Sequence, residues 1–404
     1  MREKIFNEDW SADVDYTINY TKWLLSLLGI WPMVSGRATK TKLYFSKLLM
    51  TVVCSLMFFV TVPCLAHMLL RERDPITRMM LVGPIGFCVA NILKYASLIY
   101  RRDDIKNSMS HLEADWRNVE SFEDRTIMTD NARVGRNLTA ISGAFLYSCT
   151  VFYHLIMPLS SGKSTNELNE TTRKLVFPGY DMFVDDQKTP VYEMILYTCF
   201  VASFINSTIS LTSCNLAAVL VSHACGQFQM VASRLENLLE YAKDAKDYRV
   251  EQRIKWIVRT HVRVLGFSMK IEEILREICC VEVIASTLII CLDEYYCMKE
   301  WKNSETLAIL TYVGVLISLS LNIFIFCHIG ELLKEQVRLT VVSYMTEWYK
   351  LPGKTGLPIV MIIGTSNYPP KLTAGQMMEL SIRSFGFIMK NTLAYLNMIR
   401  TIGY

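Results

Sequence analysis

Residues 376–402 read QMMELSIRSFGFIMKNTLAYLNMIRTI, and this run decides the fold. It is long enough to cross a bilayer, yet it carries Arg383, Lys390, Asn391, Asn397 and Arg400. Intramembrane charge is costly beside lipid, so such a helix belongs inside a bundle or beside water. At helical spacing Arg383, Ser384, Lys390, Asn391, Asn397 and Thr401 share one broad sector. Met378, Phe385, Met389, Leu393 and Leu396 occupy much of the other side. Two readings stay open: a bundle-core helix with internal polar partners, or a helix lining a water-filled path.

The rest of the chain agrees with a membrane setting. Of 404 residues, 51% are hydrophobic, and they fall in long blocks. That composition marks a polytopic, all-α membrane protein. The formal net charge of +4 comes with no basic tract, so nucleic acid is not expected as a partner. The 12 cysteines sit mostly within apolar runs, where Cys is a small hydrophobe, and none has metal-ligand spacing. No Walker loop, GxSxG or HExxH motif occurs. An enzyme, a cofactor and a metal are therefore not expected. No cleavable leader is read before the first span, which is expected to act as the targeting signal.

Seven spans are read in order: Leu43–Leu70, Met79–Tyr100, Leu138–Pro158, Val191–Cys225, Arg276–Met298, Thr306–Ile329 and the terminal helix. A short amphipathic helix near Trp23–Ile30 precedes them, stopped around Pro32. The fourth run is about 52 Å long as a helix, well beyond a hydrocarbon core of about 30 Å. It continues into an amphipathic stretch, and Ile254, Val258, Val262, Leu265, Ile271, Leu275 and Ile278 return at helical steps. These segments and 331–351 are expected to form a helical layer outside the bilayer. Their apolar stripes need partners, either in neighbouring subunits or in the same chain.

Lys and Arg concentrate in the N-terminal lead, in 101–137 and in 226–275. The positive-inside rule then puts the N-terminus in the cytoplasm and, after seven spans, the C-terminus outside. A G-protein-coupled receptor has the opposite orientation, and neither DRY nor NPxxY is present. Of the sequons, only Asn169, in the polar 160–189 loop, is expected to carry glycan. Lys94 is expected to snorkel to the nearer interface. Glu282 is the intramembrane acid hardest to dismiss, with Lys94 as its candidate partner at similar depth. His154, His223 and His328 have no acidic companion at triad or metal spacing and read as structural.

The C-terminal order Tyr344-x-x-Glu347-Trp348, Pro369, Leu372-Thr-Ala-Gly375, Ser381, Phe385 and Tyr395-Leu-Asn-Met-Ile-Arg resembles the signature of insect odorant receptors. The likeness extends loosely upstream, to the helix count and to HVRVLGFSMKIEEI at 261–274. It implies an odorant-binding tuning subunit of a tetrameric, non-selective cation channel, assembled with an obligate co-receptor in the plasma membrane of an olfactory neuron dendrite. It also implies a gate of apolar side chains at the end of the last helix. The matching positions are Met398 and Ile402, with Thr401 as polar neighbour. Such a ring stops ions by dewetting.

Six segments follow: a cytoplasmic lead 1–42, spans one to four in 43–225, amphipathic anchor helices in 226–275, spans five and six in 276–329, an anchor segment and loop in 330–375, and a pore-lining helix in 376–404. A volatile ligand calls for a buried aromatic pocket with one or two polar anchors. Candidates at extracellular depth are Phe87, Asn91, Tyr147, Ser148, Val151, Phe152, Phe204, Thr208, Tyr312 and Leu316, each of which has plain helix packing as its other role. A gustatory-type channel acting alone is the nearest alternative. A solute transporter is more distant, since the two halves show no internal repeat.

Overall fold

The computed structural model describes residues 9–36, 38–119, 121–160, 163–165, 171–173, 175–238, 241, 247–303, 306–342, 357–366 and 369–402. Among the described residues the chain is all-α apart from two short hairpins. Helices α1 (Trp10–Leu27) and α2 (Trp31–Val34) lead into α3 (Lys40–Ala66), which ends in a π-helical turn, His67–Arg71. Next come α4 (Pro75–Tyr100), α5 (Arg102–Arg117) and α6 (Phe122–Val151). A second π turn, Phe152–Ile156, and α7 (Met157–Ser160) extend α6. Strands β1 (Lys163–Thr165) and β2 (Thr171–Arg173) pair antiparallel. Then follow α8 (Val191–Glu236), α9 (Asp247–Asn303), α10 (Thr306–Val342), α11 (Leu357–Ser366), the hairpin β3 (Thr373–Ala374) with β4 (Met378–Glu379), and α12 (Ile382–Ile402).

Local chemistry sets the helix starts. Thr39, Asp74 and Ser121 each accept the backbone N–H three residues on, and Pro75 follows its cap at the first helical position. Among the described residues, five helical stretches are long and apolar enough to cross a membrane: Lys40–Arg71, Pro75–Tyr100, Phe122–Ser160, Val191–Glu236 and Thr306–Arg338. The other two expected spans lie on α9 and α12. Both are helical, and both are interrupted by charge: Glu282, Asp293 and Glu294 on α9, Arg383 and Lys390 on α12.

Helix α8 is the hub, packed against α1, α3, α4, α6, α9 and α10. From Asn206 to Phe228 it is buried on every side. The small residues of STISLTSCNLAA let neighbouring backbones approach, and their polar atoms tie helices together. Thr21 donates to Asn215 Oδ1 at 2.6 Å, and Asn215 donates to Thr139 at 3.1 Å. Thr150 and Ser207 share a hydrogen at 2.6 Å. Gly135 on α6 marks the tightest part of this packing, since a Cβ there would meet Ala218 O at 3.1 Å.

Several expectations need correction. The N-terminal helix runs Trp10–Leu27 rather than 23–30, because Val14, Thr17 and Thr21 continue its buried stripe upstream, and Pro32 opens α2 instead of stopping a helix. The 101–137 connector is helical, as α5 and the first half of α6. The terminal helix begins at Ile382 rather than Gln376. Gly375 (φ 61°) and Gln376 (φ 62°) form the β3–β4 turn, and Ser381 Oγ then accepts from Ser384 N at 3.1 Å.

Lys94 does not snorkel. It is 2% exposed and pairs with Glu282, with Ser210 Oγ at 3.3 Å, because α8 and α9 enclose it and supply the counter-charge at its own depth. Glu282 also accepts from Asn322 at 2.6 Å and Ser286 at 2.8 Å.

His223 does have an acidic companion. Its Nε2 lies 2.9 Å from Asp115 Oδ2, with His111 Nδ1 at 3.2 Å and Arg263 at 2.5 Å from the other oxygen. The three ligand-type atoms lie within 4.8 Å of one another. Arg263 already neutralises the carboxylate, so the cluster reads as an ion-pair clasp joining α5, α8 and α9. His154 stacks on Phe177 and His328 on Phe324.

Part of the apolar stripes expected outside the bilayer meets within the chain, while Val262 is exposed. Val231 and Leu235 of α8, Val250, Ile254 and Ile257 of α9, and Ile359 and Ile362 of α11 form one buried cluster. Asn169 lies outside the described residues.

Candidate ligand cavity

A cavity of about 380 Å³ opens among α4, α6, α8, α9 and α10, at the end of the bundle covered by residues 175–177. The sequence makes room for it. Gly83 and Pro84 on α4, Cys149 and Thr150 on α6, and Ser203 and Ser207 on α8 all present small side chains. The π turn at Phe152–Ile156 adds a residue to one helical turn and swings Tyr153 and His154 onto the cavity wall. Tyr296 and Tyr312, with ring centroids 6.1 Å apart, close the α9–α10 side.

The lining is mainly apolar and aromatic, with a few polar atoms. Asp293 Oδ2, Tyr296 OH, His154 Nδ1 and Asn206 Oδ1 are buried, and no hydrogen-bond partner reaches them among the described residues. A buried polar atom without a partner is costly, so a ligand that supplies one is favoured at that point. This arrangement suits capture of a small, mostly apolar molecule held by one or two directional contacts.

Of the residues singled out in the sequence, Phe87 and Tyr312 line this cavity. The others lie elsewhere. Tyr147 stacks on Phe204 at 4.6 Å and its hydroxyl lies 3.1 Å from Thr208, so these three form a packing seam between α6 and α8. Asn91 is buried beside Lys94 and donates to Phe87 O at 2.9 Å. Ser148 is exposed, and Val151 and Phe152 are half-buried at the helix junction outside the lining. Leu316 faces a separate groove with Phe324, Phe385 and Met389. Asp293, Tyr296, Tyr153 and His154 are the residues that sequence reasoning missed. The run Asp293-Glu-Tyr-Tyr296 read as the end of a span, and the π turn is invisible to a count of 3.6 residues per turn.

Near the cavity, α9 touches the last helix. Glu294, next to Asp293, accepts from Thr392 of α12 at 3.2 Å. Phe385 of α12 packs edge-on against Phe324 of α10. Among the described residues, helix α12 is covered along that stripe. Phe387, Leu393, Tyr395 and Met398 are exposed, Met398 by 60%. The side chains of Thr401 and Ile402 lie outside the described residues.

The family model described as 7tm Odorant receptor matches residues 74–393. Odorant receptor 13a of Drosophila melanogaster is 22% identical over 281 residues, 64% of each chain. Odorant receptor 82a of the same organism is 24% identical over 220 residues, 54% of this chain and 55% of that one. The matches thus span under two thirds of these relatives. The insect olfactory receptor OR5 from Machilis hrabei in complex with eugenol superposes with a TM-score of 0.76 at 14% identity, covering 96% of this chain and 100% of that one. The same receptor without eugenol gives 0.74 at 15% identity, over 95% and 99%. At such identity the superposition shows the shared fold alone. The family match runs through α4 to α12 and takes in the cavity, the hub helix and the closing hairpin, and on it this multi-pass membrane chain belongs to the 7tm odorant receptor family.

Proposed function

We propose that this chain is the odorant-binding subunit of a ligand-gated, non-selective cation channel, formed with an odorant receptor co-receptor in the plasma membrane of an olfactory neuron. The cavity beside Tyr153, Tyr296 and Tyr312 carries this reading, because its size and lining fit a small volatile molecule. The orientation from Lys and Arg bias puts it in the extracellular half, with the N-terminus cytoplasmic and Asn169 available for glycosylation.

The route from ligand to gate is short. Asp293 faces the cavity and its neighbour Glu294 holds Thr392 on α12, so a ligand that displaces this part of α9 acts directly on the last helix. Met398 and Ile402 at the end of that helix form the apolar constriction, with Thr401 as polar neighbour. The ligand shifts gating only by its differential affinity for the open and closed states. The uncovered apolar face of α12, with Phe387, Leu393, Tyr395 and Met398, is where subunits meet.

The test is whole-cell current in cells expressing the chain alone or with an insect co-receptor, across an odorant panel. Inward current only with the partner is the expected result. Ser207→Phe, which fills the cavity, should raise the half-maximal odorant concentration at least tenfold at unchanged surface level. Current from the chain alone would replace this reading with a self-sufficient, gustatory-type channel. Undiminished sensitivity in the Ser207 variant would move the odorant out of the cavity.

A further inference from the structure

Two buried carboxyl groups lie on α9 within the bundle, about three helical turns apart and so on one face. Glu282 is fully provided for: Lys94 neutralises it, and Asn322 and Ser286 donate to it. Asp293 differs in each respect. It is 8% exposed and lines the cavity, its Oδ2 has no hydrogen-bond partner, and no Lys or Arg nitrogen pairs with it among the described residues. The neighbouring carboxyl, Glu294, brings no cation either, since its partner is the Thr392 hydroxyl.

What surrounds Asp293 is aromatic. Tyr296 stands one turn further along α9, its hydroxyl also without a partner, and the Tyr312 ring lies 6.1 Å from the Tyr296 ring. Tyr153 and Phe87 line the same space. A carboxylate held away from water without a counter-charge is unfavourable, and pairing offsets that cost. Aromatic faces stabilise an ammonium further, most strongly where it is desolvated. The remaining lining is apolar and accepts a hydrocarbon body.

We propose that the cavity selects small primary amines, with the ammonium on Asp293 beside the rings of Tyr296 and Tyr312 and the apolar body toward Phe87. This rests on the cavity being the ligand site, and it adds the chemical class. The same geometry ranks ligands of one shape. An amine forms an ion pair and the matching alcohol only a hydrogen bond.

The experiment uses the full chain purified into lipid nanodiscs, with 2-phenylethylamine and 2-phenylethanol as probes of nearly equal shape, read by intrinsic fluorescence and by calorimetry. The wild type is expected to bind the amine at least tenfold more tightly than the alcohol. Asp293→Asn should remove that preference while leaving alcohol affinity within about twofold. Equal affinities in the wild type overturn the proposal, as does an Asn variant that keeps its amine preference. If the variant binds neither probe, the wild-type ratio alone decides. Binding of the alcohol and other neutral odorants without amine preference sinks only this inference. Failure of the wild type to bind either probe or any neutral odorant sinks the reading of the cavity with it.

Discussion

The clearest case at the scale of single residues is Lys94 with Glu282. Each is an ionisable group on an otherwise apolar helix, and that made Glu282 stand out in the sequence with Lys94 as its candidate partner. Depth along a helix can be counted from the sequence, and it put the two at one level. Which way Lys94 points cannot be counted, because a long stem reaches an interface or a neighbour equally well. Lys94→Met leaves Glu282 buried without its counter-charge and should cost about 3 kcal/mol or more. Adding Glu282→Gln should recover most of that loss, since an amide still meets Asn322 and Ser286. Thermal unfolding in detergent of the two variants checks this, and a double variant no better than the single one would contradict it. The Asp115–His223 contact was beyond reading, because its members sit 108 residues apart and no local spacing joins them.

Elements were legible where their pattern is periodic and misread where the backbone leaves the regular period. The Leu372-Thr-Ala-Gly375 turn was visible, but the helix placed after it started six residues too early, inside the β3–β4 hairpin. That hairpin is fastened from several sides. Gly375 N donates to Arg276 O at 3.1 Å, Lys334 reaches Glu379 at 2.7 Å, and the α10 backbone at Gly330 lies directly on Leu380. A Cβ at Gly330 would fall 2.3 Å from Leu380 O, too close to stand. Replacing glycine by alanine inside a helix ordinarily gains about 1 kcal/mol. Here the clash, about 1–3 kcal/mol for an overpacked site, reverses the sign. Gly330→Ala should therefore lower the melting temperature, whereas Gly266→Ala on α9, with nothing within 4 Å of the added methyl, should raise it. Equal shifts in the two variants would show that the hairpin yields. Little of the cavity lining was legible, for a related reason. Of the ten candidates only Phe87 and Tyr312, on regular helix, line it, while Tyr153 and His154 lie on a π turn that a regular count does not show.

For the molecule as a whole, class and helix order were legible because long apolar runs admit few alternatives. The pairing of helices was not, because α8 is buried all round and its sequence names no preferred face. Helix α9 also adds a dependence on acidity. His261 of α9 is buried against Phe228, and burial lowers its pKa to about 4. The unfolded chain, with an ordinary His pKa of about 6.5, takes up the proton first. This contribution is therefore complete above about pH 6.5 and is lost as pH falls toward 4, at about 1.4 kcal/mol per unit. The melting temperature should drop over that window, and His261→Gln should flatten the slope. A slope unchanged in the variant would assign the effect to other groups.

Helix α9 runs 57 residues without a proline, about 85 Å, and carries Ile254 in its cluster with α8 and α11, then Glu282, then Asp293 at the cavity. An unbroken rod of this kind keeps angular phase. One residue inserted near its middle turns everything beyond by about 100° and advances it by about 1.5 Å, carrying Asp293 off the cavity wall and Glu282 away from Lys94. Seven inserted residues return the phase to within about 20° but shift the depth by two turns. Between Ile254 and Asp293, then, a change in length disturbs either the phase or the depth of one end relative to the other. In that sense α9 is the ruler against which the cavity, the buried ion pair and the cluster at Ile254 are all set.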